Sequence, residues 1–315
     1  MTITRIAPSP TGSMHIGGIR TALFSYALAK SKGGKFLLRI EDTDQTRFVE
    51  GAEEEIEAML LAYGLPFDEK YKQTERKEIY KKHAEDLVKS GKAYYCFATK
   101  EEIEDARQLA ETSKTIFRFR SPFRDSSMEE AIKRIEKGEK YVIRLKVPEG
   151  REILFEDQLQ GKMVFNSEEI DDTILLKSDG FPTYHLAVVV DDHLMGVTDV
   201  VRGVEWIPST PKHVLIHEAF DWEQPNFYHV PLILDPEGGK LSKRKGSVAA
   251  IDFIKQGYLP EAVINFLMLL GWSSPLPHEF GESEREIFSL KEFVEIFDVK
   301  DMNKSSAISV SYTHL

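Results

Sequence analysis

Short apolar runs alternate with longer amphipathic runs over residues 1–93. Apolar runs of four to eight residues are typical of buried strands, and 3.6-residue spacing is typical of helices. In chain order, the predicted elements are a strand at Ile3 to Ile6, a helix opening at His15, a strand at residues 36–40, and helices at residues 53–63 and 75–90. Alternating strands and helices predict an α/β fold whose parallel sheet gathers ligands at the carboxyl ends of its strands.

The pattern changes over residues 94–183, where mixed strands and charged helices replace this alternation. The predicted elements are helices at residues 100–112 and 127–138, a strand at residues 141–147, and a hairpin that turns near Gly161. We therefore predict a domain at residues 94–183 inserted into a nucleotide-binding fold made of residues 1–93 and 184–246.

Phenylalanines and arginines alternate over residues 116–124, which predicts a strand. The phenylalanines are Phe117, Phe119 and Phe123, and the arginines are Arg118, Arg120 and Arg124. Arginines beside aromatic rings can hold phosphates and stack on exposed bases. A half-buried strand with solvated arginines gives the same pattern, and both interpretations stay open.

The apolar run at residues 183–190 predicts a strand that ends in Asp191, Asp192 and His193. Successive strand residues point in alternate directions, so carboxylates that cap loops fit better than a metal site. His213 and His217 lie four residues apart on a predicted helix, but no third ligand is suggested. We predict no metal site.

Helical apolar runs resume at residues 261–272 and 289–297 and predict a further, incomplete domain at residues 247–308. Residues 309–315 neither continue this pattern nor form a capped element. We expect a truncated chain with a foreign or disordered tail at residues 309–315, and a natural flexible terminus is the alternative.

The stretch RIAPSPTGSMHIGGIR at residues 5–20 joins the first strand to the first helix. Its prolines exclude a helix before His15, and Gly17 and Gly18 leave no side chain between the backbone and a ligand. Unpaired N–H groups at a helix start attract phosphate, and His15 adds a donor. Glycines that serve packing and a solvated histidine are the alternative. A second stretch that could bind phosphate is the basic loop KLSKRKG at residues 240–246, which on its own indicates only a solvated turn.

Together these two stretches resemble the HIGH and KMSKS signatures of class I aminoacyl-tRNA synthetases. RIEDTDQTR at residues 39–47 and DDHLMGVTDVVRGVEW at residues 191–206 resemble the glutamyl branch of that class. The resemblance extends to about Ile308. It implies a Rossmann-like catalytic domain, an insert that receives the acceptor end of tRNA, a stem-contact domain, and anticodon-binding domains that would follow.

The resemblance implies that this ligase uses ATP and Mg²⁺ to convert L-glutamate to glutamyl adenylate, and then esterifies tRNA(Glu). Catalytic roles fall to His15, Lys240 and Lys243. The implied ATP-binding residues are Thr11, Gly12, His15, Gly17, Gly18, Lys240, Ser242 and Lys243. The implied glutamate-binding residues are Arg5, Ala7, Ser9, Glu41, Tyr184 and Arg202. The candidate tRNA-binding residues are Asp44, Arg47, Arg118 and Arg120.

Two alternatives share parts of this pattern. A shortened paralogue that glutamylates a modified tRNA base has cysteine zinc ligands and a degraded second motif, whereas this chain has one cysteine and KLSKR. A small-molecule nucleotidyltransferase shares the HIGH-like turn but needs no RNA-binding insert.

Composition changes this picture little. The 315 residues carry a formal charge of -11, so any RNA contact is expected on a local basic surface. Cys96 alone excludes an internal disulfide and a multi-cysteine zinc site, and we expect no structural zinc. No run is long enough to span a bilayer, and the chain is interpreted as a cytoplasmic monomer without membrane contact.

Overall fold

The computed structural model describes residues 1–114, 117–235, 249–275 and 285–308. The strands are β1 (Ile3–Ile6), β2 (Lys35–Ile40), β3 (Glu69–Lys72), β4 (Ala93–Cys96), β5 (Val142–Leu145), β6 (Glu152–Asp157), β7 (Gly161–Asn166), β8 (Ile174–Leu176), β9 (Asp199–Gly203), β10 (Asn226–Val230), β11 (Ile233–Leu234) and β12 (Ala307–Ile308). The helices are α1 (Ile16–Ser31), α2 (Ala52–Ala62), α3 (Lys77–Lys89), α4 (Lys100–Thr112), α5 (Met128–Glu136), α6 (Tyr184–Leu194), α7 (Thr210–Ala219), α8 (Ala250–Lys255), α9 (Pro260–Leu269) and α10 (Leu290–Ile296). None of the described helices is long and apolar enough to cross a membrane.

Two sheets with parallel strands carry the predicted α/β fold. The first has the order β1-β2-β3, with all pairs parallel. The second has the order β7-β6-β10-β9, in which β10 runs parallel to both β6 and β9. Ile3 and Thr198 exchange hydrogen bonds between β1 and the start of β9, the Thr198 N–H donating to the Ile3 carbonyl over 2.9 Å. The carboxyl ends of β1, β9 and β10 therefore open on one side.

The region predicted as an insert contributes to two different sheets. Strands β4, β5 and β8 form their own antiparallel sheet. The β6–β7 hairpin lies within residues 94–183, yet it pairs with β10 of the predicted catalytic part. The proposed division of the chain at residues 94–183 stays a prediction, with this hairpin as the element that the two parts share.

Two predicted strands are wrong. Residues 184–194 form α6, a helix, where a strand was expected over 183–190. Leu186 to Val190 are all buried, and a run buried on every side has no period that separates strand from helix. Residues 117–121 have no regular structure, and Pro122–Asp125 form a 3-10 turn, because the Ser121 hydroxyl caps the Phe123 N–H at 3.2 Å and proline favours the first position of a helix.

The last helices pack on α1 through aromatic rings. Phe24 of α1 stacks on Phe297 with 6.2 Å between ring centroids, and Trp272 meets Phe293 edge-on at 5.0 Å. Arg20 of α1 is also buried there, and its guanidinium donates to the carbonyls of Leu270 and Pro231. Burial lowers the pKa of Arg20 to about 10. The helix that opens at His15 is thus fixed against residues 249–308 on one side and the end of β10 on the other.

Candidate active site

A cavity of about 670 Å³ lies where β1, β9 and β10 end and α1 begins. The site residues predicted from the sequence that line it are Arg5, Ala7, Ser9, Thr11, Gly12, His15, Gly17, Gly18, Glu41, Arg47, Tyr184 and Arg202. They come from three separate stretches of the chain. Lys240, Ser242 and Lys243 lie outside the described residues.

His15 is the N-cap residue of α1. Its Nδ1 accepts the Gly17 N–H at 2.9 Å, so in the neutral ring the proton sits on Nε2. A Cβ on residue 17 would lie only 3.1 Å from His15 Nδ1, which explains why glycine suits this position. Because the first turn of α1 has no acidic side chain, its N-terminus presents positive potential to the cavity.

Asp192 is the counter-ion of two buried arginines. Its Oδ1 accepts from Arg39 Nη1 at 2.5 Å and from Arg5 Nε at 3.1 Å. Burial opposes ionisation, but the two guanidinium groups outweigh it and lower the pKa of Asp192 to about 2. Asp192 is therefore ionised at neutral pH, and it fixes Arg5 at the cavity wall.

Glu41 lies beside the same arginines. Its Oε1 accepts from Arg39 Nη2 at 3.1 Å and from Arg39 Nε at 3.3 Å. Burial raises the pKa of Glu41 above its ordinary value, although Arg39 and Arg5 act against the shift. A ligand ammonium group would relieve this cost of burying a carboxylate.

Asp191 lies 3.8 Å from Arg39 Nε, at the edge of this cluster, and holds α3 in place. It accepts from Gln73 Nε2 at 2.9 Å, from Arg76 Nε at 2.8 Å and from the Tyr80 hydroxyl at 2.7 Å. Asp42, which the sequence left open as a ligand or a cap, accepts the Thr74 N–H at 2.9 Å. The polar cluster at residues 73–76 thus has a structural role. Among the described residues, no group of three or more His, Cys, Asp or Glu side chains converges as a metal site.

Arg202 projects from β9 into the cavity wall among uncharged groups. Its Nε donates to His229 Nε2 at 3.0 Å, and its Nη2 donates to Thr210 Oγ1 at 2.8 Å. Its Nη1 lies 3.1 Å from His213 Nδ1 and 3.3 Å from the Tyr184 hydroxyl. Burial lowers the pKa of Arg202, and Tyr184 acts against that shift.

Tyr184 and His213 both stay neutral beside this guanidinium. Burial raises the pKa of Tyr184 to about 12, with Arg202 opposing the shift. Burial, reinforced by the charge of Arg202, holds the pKa of His213 well below its ordinary value. The cavity therefore has a cation at this end whose hydrogen-bond partners among the described residues carry no charge.

The structure places the candidate tRNA-binding residues in two different regions. Arg47 lines the cavity, and the Asp44 carboxylate accepts the Thr46 hydroxyl at 2.6 Å. Arg120 Nη1 lies 3.2 Å from the buried carboxylate of Asp172, and Arg118 lies 3.6 Å from Glu168. These ion pairs favour the structural interpretation of the Phe–Arg alternation, which the sequence left open.

Three polar groups of the site were missed by sequence reasoning. Asp192 was interpreted as a loop cap, and Asp157 and His229 were not singled out at all. Asp157 lies 72 positions before His229, with which it forms a buried hydrogen bond. No spacing in the sequence could predict this pair, because only the parallel pairing of β6 with β10 brings the two residues together.

The comparisons with known proteins all find similarity to the same family. The profile of tRNA synthetases class I (E and Q), catalytic domain, matches residues 1–313. The glutamate--tRNA ligase of Finegoldia magna is 48% identical over 96% of this chain, and that of Alkaliphilus metalliredigens is 46% identical over 96%. The chain spans 65% and 64% of the lengths of these two relatives. A crystal structure of a glutamate tRNA ligase from Elizabethkingia meningosepticum in complex with its amino acid has a TM-score of 0.90 and 39% identity, covering 99% of this chain and 68% of that one.

Proposed function

The chain belongs to the family of class I tRNA synthetase (E and Q) catalytic domains, and we propose that it activates L-glutamate with ATP and transfers it to tRNA(Glu). The observation that carries this proposal is the one cavity in which a helix N-terminus capped by His15 faces a carboxylate, Glu41, and two arginines, Arg5 and Arg202. Glutamate has one ammonium and two carboxylates, so the charges of the wall complement those of the substrate.

On the amino-acid side, Glu41 accepts the ammonium group and the arginines read carboxylates. Charge-assisted hydrogen bonds are about twice as strong as neutral ones, and the planar guanidinium adds directional selectivity. Tyr184 and Ser9 contribute hydrogen bonds from the cavity wall. Arg202, whose hydrogen-bond partners among the described residues are neutral, is the better placed of the two arginines to take a substrate carboxylate.

On the nucleotide side, the start of α1 and the Nε2–H of His15 hold the phosphates of ATP. Gly17 and Gly18 allow the nucleotide to approach the backbone, and Thr11 and Gly12 line the same wall. Mg²⁺ would enter with ATP and offset the charge of its phosphates, which requires no dedicated cluster of protein ligands. By resemblance, Lys240 and Lys243 are assigned to the departing pyrophosphate and Ser242 to ATP binding.

The reaction needs no protein nucleophile. The α-carboxylate oxygen of glutamate attacks the α-phosphorus of ATP, the bond to the bridging oxygen breaks, and pyrophosphate leaves. The terminal ribose hydroxyl of tRNA then attacks the adenylate carbonyl, and AMP leaves. The protein contributes alignment and charge stabilisation, and a well-placed donor of this kind contributes about 2.7 to 4 kcal/mol. Arg47 at the mouth of the cavity and Asp44 near it are proposed to face the tRNA end.

The test is charging of purified tRNA(Glu) with labelled L-glutamate, followed by mild base. An ester on the terminal ribose releases its label under mild base, and the expected result is ATP-dependent, base-labile label on tRNA. Label recovered on an internal nucleotide after nuclease digestion, and not on the terminal adenosine, would indicate transfer to a modified base instead. Release of pyrophosphate without any label on tRNA would indicate a small-molecule nucleotidyltransferase.

A further inference from the structure

Arg202 is a buried cation held by neutral acceptors. None of the described carboxylates forms an ion pair with it, and the side chain is 5% exposed. Arginine carries five N–H donors in one plane. The described residues accept four of them, and the contact with the Tyr184 hydroxyl is the longest at 3.3 Å. The orientation of the plane therefore depends on which atoms accept at Nε and Nη2.

Behind Arg202, a carboxylate fixes the ring that accepts at Nε. Asp157 Oδ2 lies 2.5 Å from His229 Nδ1 and also accepts the His229 backbone N–H at 3.1 Å. Asp157 Oδ1 accepts the N–H groups of Leu159 and Gln160 at 2.9 and 2.7 Å. An ionised carboxylate only accepts, so the His229 proton sits on Nδ1 and Nε2 is a lone pair facing Arg202.

The opposite tautomer or a doubly protonated ring would reverse this contact. A proton on Nε2 would point at the guanidinium, which has donors only. Burial lowers the pKa of His229, although the hydrogen bond to Asp157 acts against the shift, so the ring is neutral at pH 7. The three groups come from three strands, β6, β10 and β9, that are neighbours in one sheet.

We propose that His229, with its tautomer fixed by Asp157, is a positioning residue that sets the plane of the Arg202 guanidinium for binding the glutamate carboxylate. This inference rests on the proposed function, because it assumes that Arg202 meets glutamate. His229 itself lies behind the arginine and does not line the cavity. Its effect on the substrate therefore passes through Arg202.

Two isosteric replacements separate the two ring nitrogens. His229→Gln places a carboxamide oxygen near the position of Nε2 and keeps an acceptor for Arg202. His229→Asn places its amide near Nδ1, which keeps a donor for Asp157 and removes the acceptor. For the full chain, calorimetric titration with L-glutamate and, separately, with ATP should give a glutamate dissociation constant at least tenfold higher for His229→Asn. The same constant should stay within threefold of wild type for His229→Gln, and ATP binding should stay within twofold for both.

Asp157→Asn is the second variant, and it decides the matter if His229→Asn does not fold. Its amide donates to Nδ1, which moves the ring proton to Nε2 and turns it toward Arg202. We expect glutamate binding to weaken at least tenfold with ATP binding unchanged. Thermal unfolding of each variant is measured alongside.

The results that overturn the proposal differ from those that overturn the function. Equal losses of glutamate binding in His229→Asn and His229→Gln, or losses that follow thermal stability, reduce His229 to a packing residue and refute the inference alone. Wild-type binding in Asp157→Asn also refutes it. A wild-type chain that binds no L-glutamate refutes the proposed function and the inference with it.

Discussion

Arg5 and Arg202 are two buried arginines on one cavity, and they differ in what neutralises them. Arg5 pairs with the ionised Asp192, whereas Arg202 donates to two hydroxyls and two imidazoles. The resemblance implied the same role, glutamate binding, for both. The structure separates them, because an arginine with an internal counter-ion has less need of a substrate carboxylate than one without. Arg5 is paired within the protein and helps to hold the cavity wall in place. Arg202 has no carboxylate partner among the described residues, and a ligand carboxylate would supply one.

The largest effect is expected at the shared counter-ion. Asp192→Asn leaves Arg5 and Arg39 buried without their principal charge partner, and removal of one member of a buried pair costs about 3 to 5 kcal/mol. Chemical denaturation should show the free energy of unfolding falling by this amount. Asp191→Asn is less informative as a control, since it also releases α3. A loss below about 1 kcal/mol would mean that Asp192 is not the principal counter-ion.

Arginine-to-lysine replacements compare the two sites directly. Arg202→Lys keeps the charge and loses the planar fork, so the Michaelis constant for glutamate in pyrophosphate exchange with tRNA present should rise about 30- to 150-fold, which corresponds to about 2 to 3 kcal/mol. Arg5→Lys should raise it less and lower thermal stability more. The comparison breaks if Arg5→Lys has the larger effect on glutamate, or if either variant raises the constant for ATP equally.

Acid titration protonates Asp192 without replacing any side chain. The pKa of Asp192 is about 2 in the folded chain, and it is about 3.9 in the unfolded chain, so the folded state binds fewer protons. The stabilisation is complete above about pH 4 and is lost as the pH falls through 2, in total about 2 kcal/mol. Unfolding free energies between pH 5 and 2 should show this slope in the wild type. An unchanged slope in Asp192→Asn would assign the acid sensitivity to other carboxylates.

The smallest effect is expected on the surface of the region predicted as an insert. Arg118 is partly exposed and lies 3.6 Å from Glu168, so Arg118→Ala should change stability by less than about 1 kcal/mol. The structural interpretation predicts an unchanged Michaelis constant for tRNA. An increase of tenfold with unaltered stability would restore Arg118 as a tRNA contact and extend the functional surface beyond the cavity.

Local signals predicted the local elements well. The capping box of Thr99 and Glu102 and the spacing behind it give α4 its expected bounds, and the HIGH-like turn lies where the sequence placed it. Predictions failed where burial is complete or where partners are distant. Helix α6 has no exposed face over Leu186 to Val190. Asp157 meets His229 only because β6 pairs with β10. Residues that line the cavity were identifiable from motifs, whereas the groups behind them were not.

The separation along the chain between Arg5 and its counter-ion has a consequence during synthesis. Asp192 follows Arg5 by 187 positions, so a ribosome adding about 5 to 20 residues per second makes the carboxylate about 10 to 40 s after the arginine. Strands β1 and β2 can align within a small fraction of that interval, while Arg5 and Arg39 still lack Asp192. The nascent amino-terminal half is therefore an incomplete folding unit: Arg39 can already pair with Glu41, but Arg5 stays hydrated until α6 has left the exit tunnel.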